Sequence, residues 1–194
     1  RILTAAGATA SYLDTHLSPQ APLYVIGESA LISVLQEAGF QILSDPHHPV
    51  EAVVVGGDRQ LTYQKLKDAC LLIQQGAQLI GTNPDVVYPA REGLIPEAGT
   101  TLAALQAATG KNPLIIGKPE KYLFEIAVER LGSTPSRTAI VGDRLDTDIL
   151  GGKRAGLTTV LVTTGVDTME SIPAKPIAPD LVIHNLEELL DYIA

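Results

Sequence analysis

Cysteine is all but absent: Cys70 stands alone, so an intrachain disulfide is excluded and a reducing, cytoplasmic setting is expected. Long apolar runs are missing too, and no stretch approaches the roughly 18 residues that a membrane-spanning helix needs. The chain opens without the basic and then apolar segments of a secretory signal, so none is expected. Positive charge is scarce, with 14 Lys and Arg against 22 Asp and Glu and a formal net charge of −8. Such a surface repels a phosphodiester backbone, which argues against nucleic acid as a partner. No basic amphipathic stretch points to a membrane surface. Neither GxGxxG nor GxxxxGK[ST] occurs, so the phosphate-cradling loops of dinucleotide and P-loop sites are lacking. Of the four histidines, His47 and His48 are adjacent in a proline-bounded loop and lack the i, i+4 geometry of a metal pair; His16 and His184 are isolated. An acidic protein that handles an anion needs a local cation or a metal to offset its field.

What is present is a regular alternation. The 194 residues are 45% hydrophobic and 19% charged, which suits a soluble globular protein of one or two domains. β-Branched runs predict strands at 23–26, 51–55, 78–81, 113–116, 137–141, 158–162 and 180–183. Helical patterns fill 28–38, 62–75, 97–108, 119–131, 145–155 and 185–192. In 119–131, Leu123, Ala127 and Leu131 recur at i+4 with Phe124 and Val128 beside them, an apolar face for packing on a sheet. Cys70 falls on the apolar side of the 62–75 helix, as a small core residue. Continuous apolar strands such as TAIV and TTVLV fit a parallel sheet covered on both faces, so the class is α/β. Residues 44–49 and 173–179 read as loops, and Gly110-Lys111-Asn112-Pro113 as a candidate domain return. Gly151-Gly152 and Gly156 would end a helix and tighten the turn after it. AVVVGGDRQLTYQKL (52–66) and TAIVGDRLDTDILGG (138–152) echo each other as strand, Gly-Asp-Arg, helix, a shared turn in which the Asp can cap the helix.

The second of these segments carries the chemistry. An apolar strand delivers Gly142 and Asp143 to its carboxyl end, where open α/β sheets hold their ligands. Asp148 follows early in the next helix, and Asp146 points the other way, to solvent. By spacing alone two readings stand. Asp143 caps a helix and the other acids solvate its first turn, or Asp143 and Asp148 share a hard cation such as Mg²⁺, which takes one or two carboxylates plus water and substrate phosphate. Gly117-Lys118-Pro119 ends another apolar strand and opens the 119–131 helix with Pro119 at its first position. Lys118 then reaches the same sheet edge if the two strands are neighbours, and supplies the cation that an anionic substrate needs.

GKPEKYLFEIAVERLG followed by RTAIVGDRLDTDILGGKRAGLTTVLVTTGV resembles the third and fourth motifs of the haloacid-dehalogenase (HAD) superfamily, in its NagD and nitrophenylphosphatase branch. ILTAAGATASYL, YVIGESALISVLQEAGF, VVVGGDRQLTYQKL and TNPDVVYP resemble the same branch, so the likeness runs through nearly the whole chain. It implies a Rossmann-like core with an inserted α/β cap: residues 1–17 the tail of a first core segment, 18–111 the cap, 112–194 the returning core. By resemblance, Lys118 fixes the phosphoryl group, Asp143 binds Mg²⁺, and Asp148 supports the metal directly or through water. Asn83 and Asp85 match a cap loop that approaches the substrate.

One departure matters. The family nucleophile is the first Asp of an N-terminal DxD, and a Ser or Thr motif precedes the cap; neither is found here. Asp146-Thr147-Asp148 spells DxD but sits inside the fourth motif. The expectation is a chain lacking several tens of N-terminal residues and inactive alone. The intact protein is expected to hydrolyse a small phosphorylated metabolite through an aspartyl-phosphate, with a homodimer through the cap as in relatives. A non-catalytic α/β binding or regulatory module is the alternative. A response-regulator phosphoacceptor domain is disfavoured, because its acidic pair precedes the acceptor and lysine.

Overall fold

The alternation of β-branched runs and amphipathic stretches folds into two parallel sheets, one in each of two units that divide between Gly117 and Lys118. The structure is a computed structural model, and it describes residues 2–193.

The first unit contains α1 (Ala5–His16), β1 (Pro22–Ile26), α2 (Ser29–Glu37), β2 (Gln41–Ile42), β3 (Ala52–Val55), α3 (Tyr63–Gln74), β4 (Gln78–Gly81), β5 (Val87–Ala90), β6 (Gly93–Pro96), α4 (Ala98–Thr109) and β7 (Leu114–Ile115). Its main sheet has the order β2-β1-β3-β4-β7, and all pairings are parallel. All four residues of β3 are buried, which is why Ala-Val-Val-Val is apolar without alternation. Leu72 and Ile73 of α3 and Leu102 and Leu105 of α4 pack with Val53, Val55 and Leu79 in one core cluster. Cys70 lies partly buried against that cluster, as its helical phase predicts. The strand order reverses between β1 and β3, the place where parallel sheets open a crevice at their carboxyl ends. A cleft of about 300 Å³ lies there, bordered by Glu28, Gly57, Arg59, Thr82, Tyr88 and Glu97. β5 and β6 form a separate antiparallel hairpin.

The second unit contains α5 (Lys121–Leu131), β8 (Ala139–Gly142), a π-helical turn (Leu145–Ile149), α6 (Leu150–Arg154), β9 (Thr158–Val162), β10 (Leu181–Ile183) and α7 (Leu190–Ile193). Its parallel sheet has the order β10-β9-β8. Phe124 and Val128 of α5 are buried against Leu157, with Ile140 and Ala155 alongside.

Several local expectations change. Residues 114–115 pair with β4 and not with β8, so the strand before Lys118 belongs to the first sheet. α5 starts at Lys121 behind a Glu120 N-cap; Pro119 lies outside the helix and follows a cis peptide bond. Leu131 is 62% exposed, because α5 ends at Gly132 immediately after it. Gly151 and Gly152 do not end a helix. They lie buried within α6, where a Cβ would run into Phe124 and Ile140. Gly156 does take the left-handed conformation of a turn, at φ 72°.

Candidate active site

The ladder of β8 ends at Gly142, and Asp143 is the next residue. Asp143 does not cap the helical turn that follows: that turn has Arg144 as its N-cap residue and no side-chain cap. One Asp143 carboxylate oxygen, Oδ2, instead accepts the Val166 N–H at 3.0 Å, and the Asp143 carbonyl accepts the Asp167 N–H at 2.9 Å. The echoing Asp58 in the first unit does hold its own turn, accepting from Gln60 N–H at 2.8 Å and Lys65 Nζ at 2.6 Å. The helix-cap reading fails for both: the N-cap of α3 is Thr62, whose hydroxyl accepts the Lys65 N–H, and Asp58 closes the turn before it.

Asp148 comes from the π-helical turn and points back under β8. Its side chain is only 7% exposed. Oδ2 accepts the Arg144 N–H at 3.2 Å, and Oδ1 accepts from Lys118 Nζ at 2.7 Å. Lys118, 46% exposed at its side chain, thus joins the two motifs that the sequence singled out. Asp146 lies exposed on the other side, in a two-pronged pair with the Arg144 guanidinium at 3.1 and 3.0 Å. That pair holds its carboxyl below the ordinary value, and it leaves the Asp146-Thr147-Asp148 run without a second inward carboxylate.

Two glycines keep room for the carboxylates. A Cβ on Gly142 would collide with the Asp148 side chain, and one on Gly165 with that of Asp143. The donor set is two hard-oxygen carboxylates at one strand end, each in a seat that any larger neighbour would fill. Mg²⁺ is bound in this way when water and a substrate phosphate complete its shell, so the residues fit such an ion. Among the described residues no group of three or more His, Cys, Asp or Glu gathers as a metal cage.

A third carboxylate lies close by, and sequence reasoning missed it. Asp167 is buried, and accepts from the Leu145 N–H at 2.7 Å, Lys175 Nζ at 2.8 Å and Ser171 Oγ at 2.9 Å. Burial pushes its carboxyl up, but Lys175 and the Leu145 and Ser171 donors outweigh this and leave it below the ordinary value. It follows TTGV directly, but no local pattern marks it as a neighbour of the site.

Asn83 and Asp85 lie in the first unit, in the loop after β4. Asn83 Oδ1 accepts the Asp85 N–H at 3.0 Å, a local turn. The Asp85 carbonyl accepts the Gly99 N–H at 2.8 Å and the Val86 carbonyl accepts Thr100 Oγ1 at 2.6 Å, so the start of α4 fixes the loop. Gly99 has no room for a Cβ against the Pro84 and Asp85 carbonyls.

The HAD-hydrolase-like family profile matches residues 115–189, the stretch with Lys118, Asp143 and Asp148. The chain is 42% identical to the acid sugar phosphatase of Staphylococcus aureus strain USA300 over 189 residues, 97% of this chain and 72% of that enzyme. The p-nitrophenyl phosphatase of Archaeoglobus fulgidus matches it with a TM-score of 0.92 at 35% identity, covering 98% of this chain and 74% of that one. NagD from E. coli K-12 matches with a TM-score of 0.86 at 35% identity, over 96% and 71% of the two chains. Likeness of this extent, together with the strand-end carboxylates and their lysine, means that the chain belongs to the HAD-like hydrolases, among the phosphatases of the NagD and nitrophenylphosphatase type.

Proposed function

We propose that this chain carries the metal and phosphoryl-holding side of a phosphomonoesterase for small phosphorylated metabolites: phosphomonoester and water give alcohol and inorganic phosphate. The observation that supports it most is the Lys118 Nζ contact to Asp148 Oδ1 at 2.7 Å. It ties a half-exposed ammonium to a buried carboxylate beside Asp143, which gives one place two anionic groups for a cation and one cation for an anion.

In this reading Asp143 and Asp148 hold Mg²⁺, which when bound neutralises charge on the phosphoryl oxygens. Lys118 sets its ammonium against a phosphoryl oxygen and steadies the charge that shifts toward the leaving group. Asp148, already hydrogen-bonded by the Arg144 N–H, keeps Lys118 aimed between turnovers. The attacking carboxylate comes from outside these 194 residues, since Asp146 is engaged by Arg144 and Asp148 by Lys118. It would form an aspartyl-phosphate that water then hydrolyses. Residues 18–111 take the family's cap role, and Asn83 and Asp85 belong to the cap loop that by resemblance serves the substrate. The names of relatives, acid sugar phosphatase and p-nitrophenyl phosphatase, agree with small phosphorylated substrates.

The test is a Mg²⁺ titration of initial rates in the full-length protein. Asp143→Asn replaces a charged hard-oxygen ligand by an amide, so it should raise the Mg²⁺ requirement and be partly rescued by excess Mg²⁺. Lys118→Met removes a separate cation and should cost roughly 10²–10³ in rate at every Mg²⁺ concentration. Near-wild-type rates for both at low Mg²⁺ would place the site elsewhere. The 194-residue chain alone should not turn over nitrophenyl phosphate, and turnover by the pure chain would show that the attacking group lies within it.

A further inference from the structure

The strand-end carboxylates are held by a neighbour that the proposed chemistry does not use. Asp167 sits on the segment after β9, only 5% exposed at its side chain. Its Oδ2 accepts the Leu145 N–H, the first amide of the π-helical turn, in a buried bond. The preceding amide, Arg144 N–H, is taken by Asp148 Oδ2. Two consecutive N–H groups are therefore shared between two carboxylates, one facing the site and one behind it. The same segment reaches Asp143 directly: the Asp167 N–H bonds its carbonyl and the Val166 N–H its Oδ2. Asp143 thus rests directly on this segment, and Asp148 is linked to it through the turn whose first amide Asp167 holds.

Asp167 is itself held in place. Lys175 Nζ at 2.8 Å balances its charge and Ser171 Oγ at 2.9 Å occupies its other oxygen. Held in this way, Asp167 lies one hydrogen bond from the backbone that presents Asp148.

We infer that Asp167, fixed by Lys175 and Ser171, is a positioning residue for Asp143 and Asp148: it clamps the Leu145 N–H so that the turn presents Asp148 while its own segment braces Asp143. This rests on the reading of those two carboxylates as cation ligands. Groups that orient metal ligands from behind typically cost about 10–100-fold in metal affinity when removed.

The test is Mn²⁺ binding to the full-length protein by electron paramagnetic resonance, beside the half-saturating Mg²⁺ and the substrate KM at saturating Mg²⁺. Asp167→Ala should weaken Mn²⁺ binding about 10–100-fold and raise half-saturating Mg²⁺ equally, with KM within about twofold of wild type. Asp167→Asn keeps an acceptor for the Leu145 N–H and should restore most of the affinity. A purely structural role would lower thermal stability and the amount of active protein, and leave the Mn²⁺ constant unmoved; that result overturns the proposal. If Asp167→Ala does not fold, Asp167→Glu carries the test. It keeps the charge for Lys175 but moves the carboxylate one methylene past Leu145, so it too should weaken Mn²⁺ binding, and an unchanged constant overturns the proposal. Asp143→Asn is the control for the underlying reading: if it binds Mn²⁺ as tightly as wild type, the ligand assignment fails and not merely the role of Asp167.

Discussion

Gly142 and Gly165 mark where the backbone must stay bare for a carboxylate. Neither has a positive φ, so a substitution there meets steric conflict rather than backbone strain. Gly165→Ala should displace Asp143, and Gly142→Ala should displace Asp148. Forcing a methyl into a filled site costs about 1–3 kcal/mol, so each variant should lose about that much in urea unfolding and also need more Mg²⁺ for half-maximal rate. Loss of stability with an unchanged Mg²⁺ requirement would detach these glycines from the site. Lys118, Asp143 and Asp148 were legible because each is a charged residue directly after, or one turn beyond, an apolar strand, and because the flanking motifs resemble a known family. Asp167 was not. Its partners Leu145 and Lys175 lie 22 and 8 residues away, and no local pattern announces contacts at those separations.

Helix α6 shows the same economy of space at the scale of an element. Alanine favours a helix over glycine by about 1 kcal/mol, so propensity alone predicts that Gly151→Ala stabilises α6. The structure predicts the reverse, because the new Cβ would strike the ring of buried Phe124 on α5. Overpacking at about 1–3 kcal/mol outweighs the propensity gain, so Gly151→Ala should lower the urea midpoint. In a Phe124→Ala background, where the ring is gone and only the Pro119 carbonyl stays close at 3.1 Å, the same change should cost markedly less. An additive double-mutant cycle would show that the two residues do not touch. Strands from β-branched runs and helices from apolar periodicity were readable because one-face or two-face burial writes itself into the sequence. Which strand pairs with which is a different matter. Pro113–Ile116 is apolar on both faces and fits either sheet, and only the tertiary fold seats Leu114 and Ile115 against Ile80 and Gly81. The β5–β6 hairpin has no strand signal in the sequence, because Pro89 and Pro96 interrupt its apolar residues. Its pairing survives on a two-stranded ribbon with free outer edges. α1 has no periodic signal because Ala, Gly, Ser and Thr dominate it, with Ala8, Thr9, Ala10 and Leu13 buried but few large apolar residues to set a period.

Across the whole molecule, acid should act unequally on the two units. Asp146, Asp167, Glu170 and Asp180 of the second unit all have carboxyls held below their ordinary values, whereas Asp45 is the one such group resolved among the described residues of the first. Asp180 is the extreme case, lowered to about 2 by Lys153 and by the Thr159 amide and hydroxyl; it stitches the start of β10 to β9. A carboxyl whose pKa is lower folded than unfolded binds more protons when unfolded. It therefore adds stability above its unfolded value of about 3.9, and that contribution drains away as pH falls through the folded value. For Asp180 the window runs from about pH 4 down to about 2. Release from the overall charge of −8 relieves repulsion on acidification but does not restore these pairs. Amide hydrogen exchange near pH 3 should accordingly show protection falling first in β8, β9 and β10, while β1, β3 and β4 keep theirs. Asp180→Asn should flatten the dependence of the second unit's protection on pH between 4 and 2, because the amide has no proton to take up. Equal loss in both sheets, or an unchanged slope in Asp180→Asn, would mean that acid acts through net charge and not through these carboxylates.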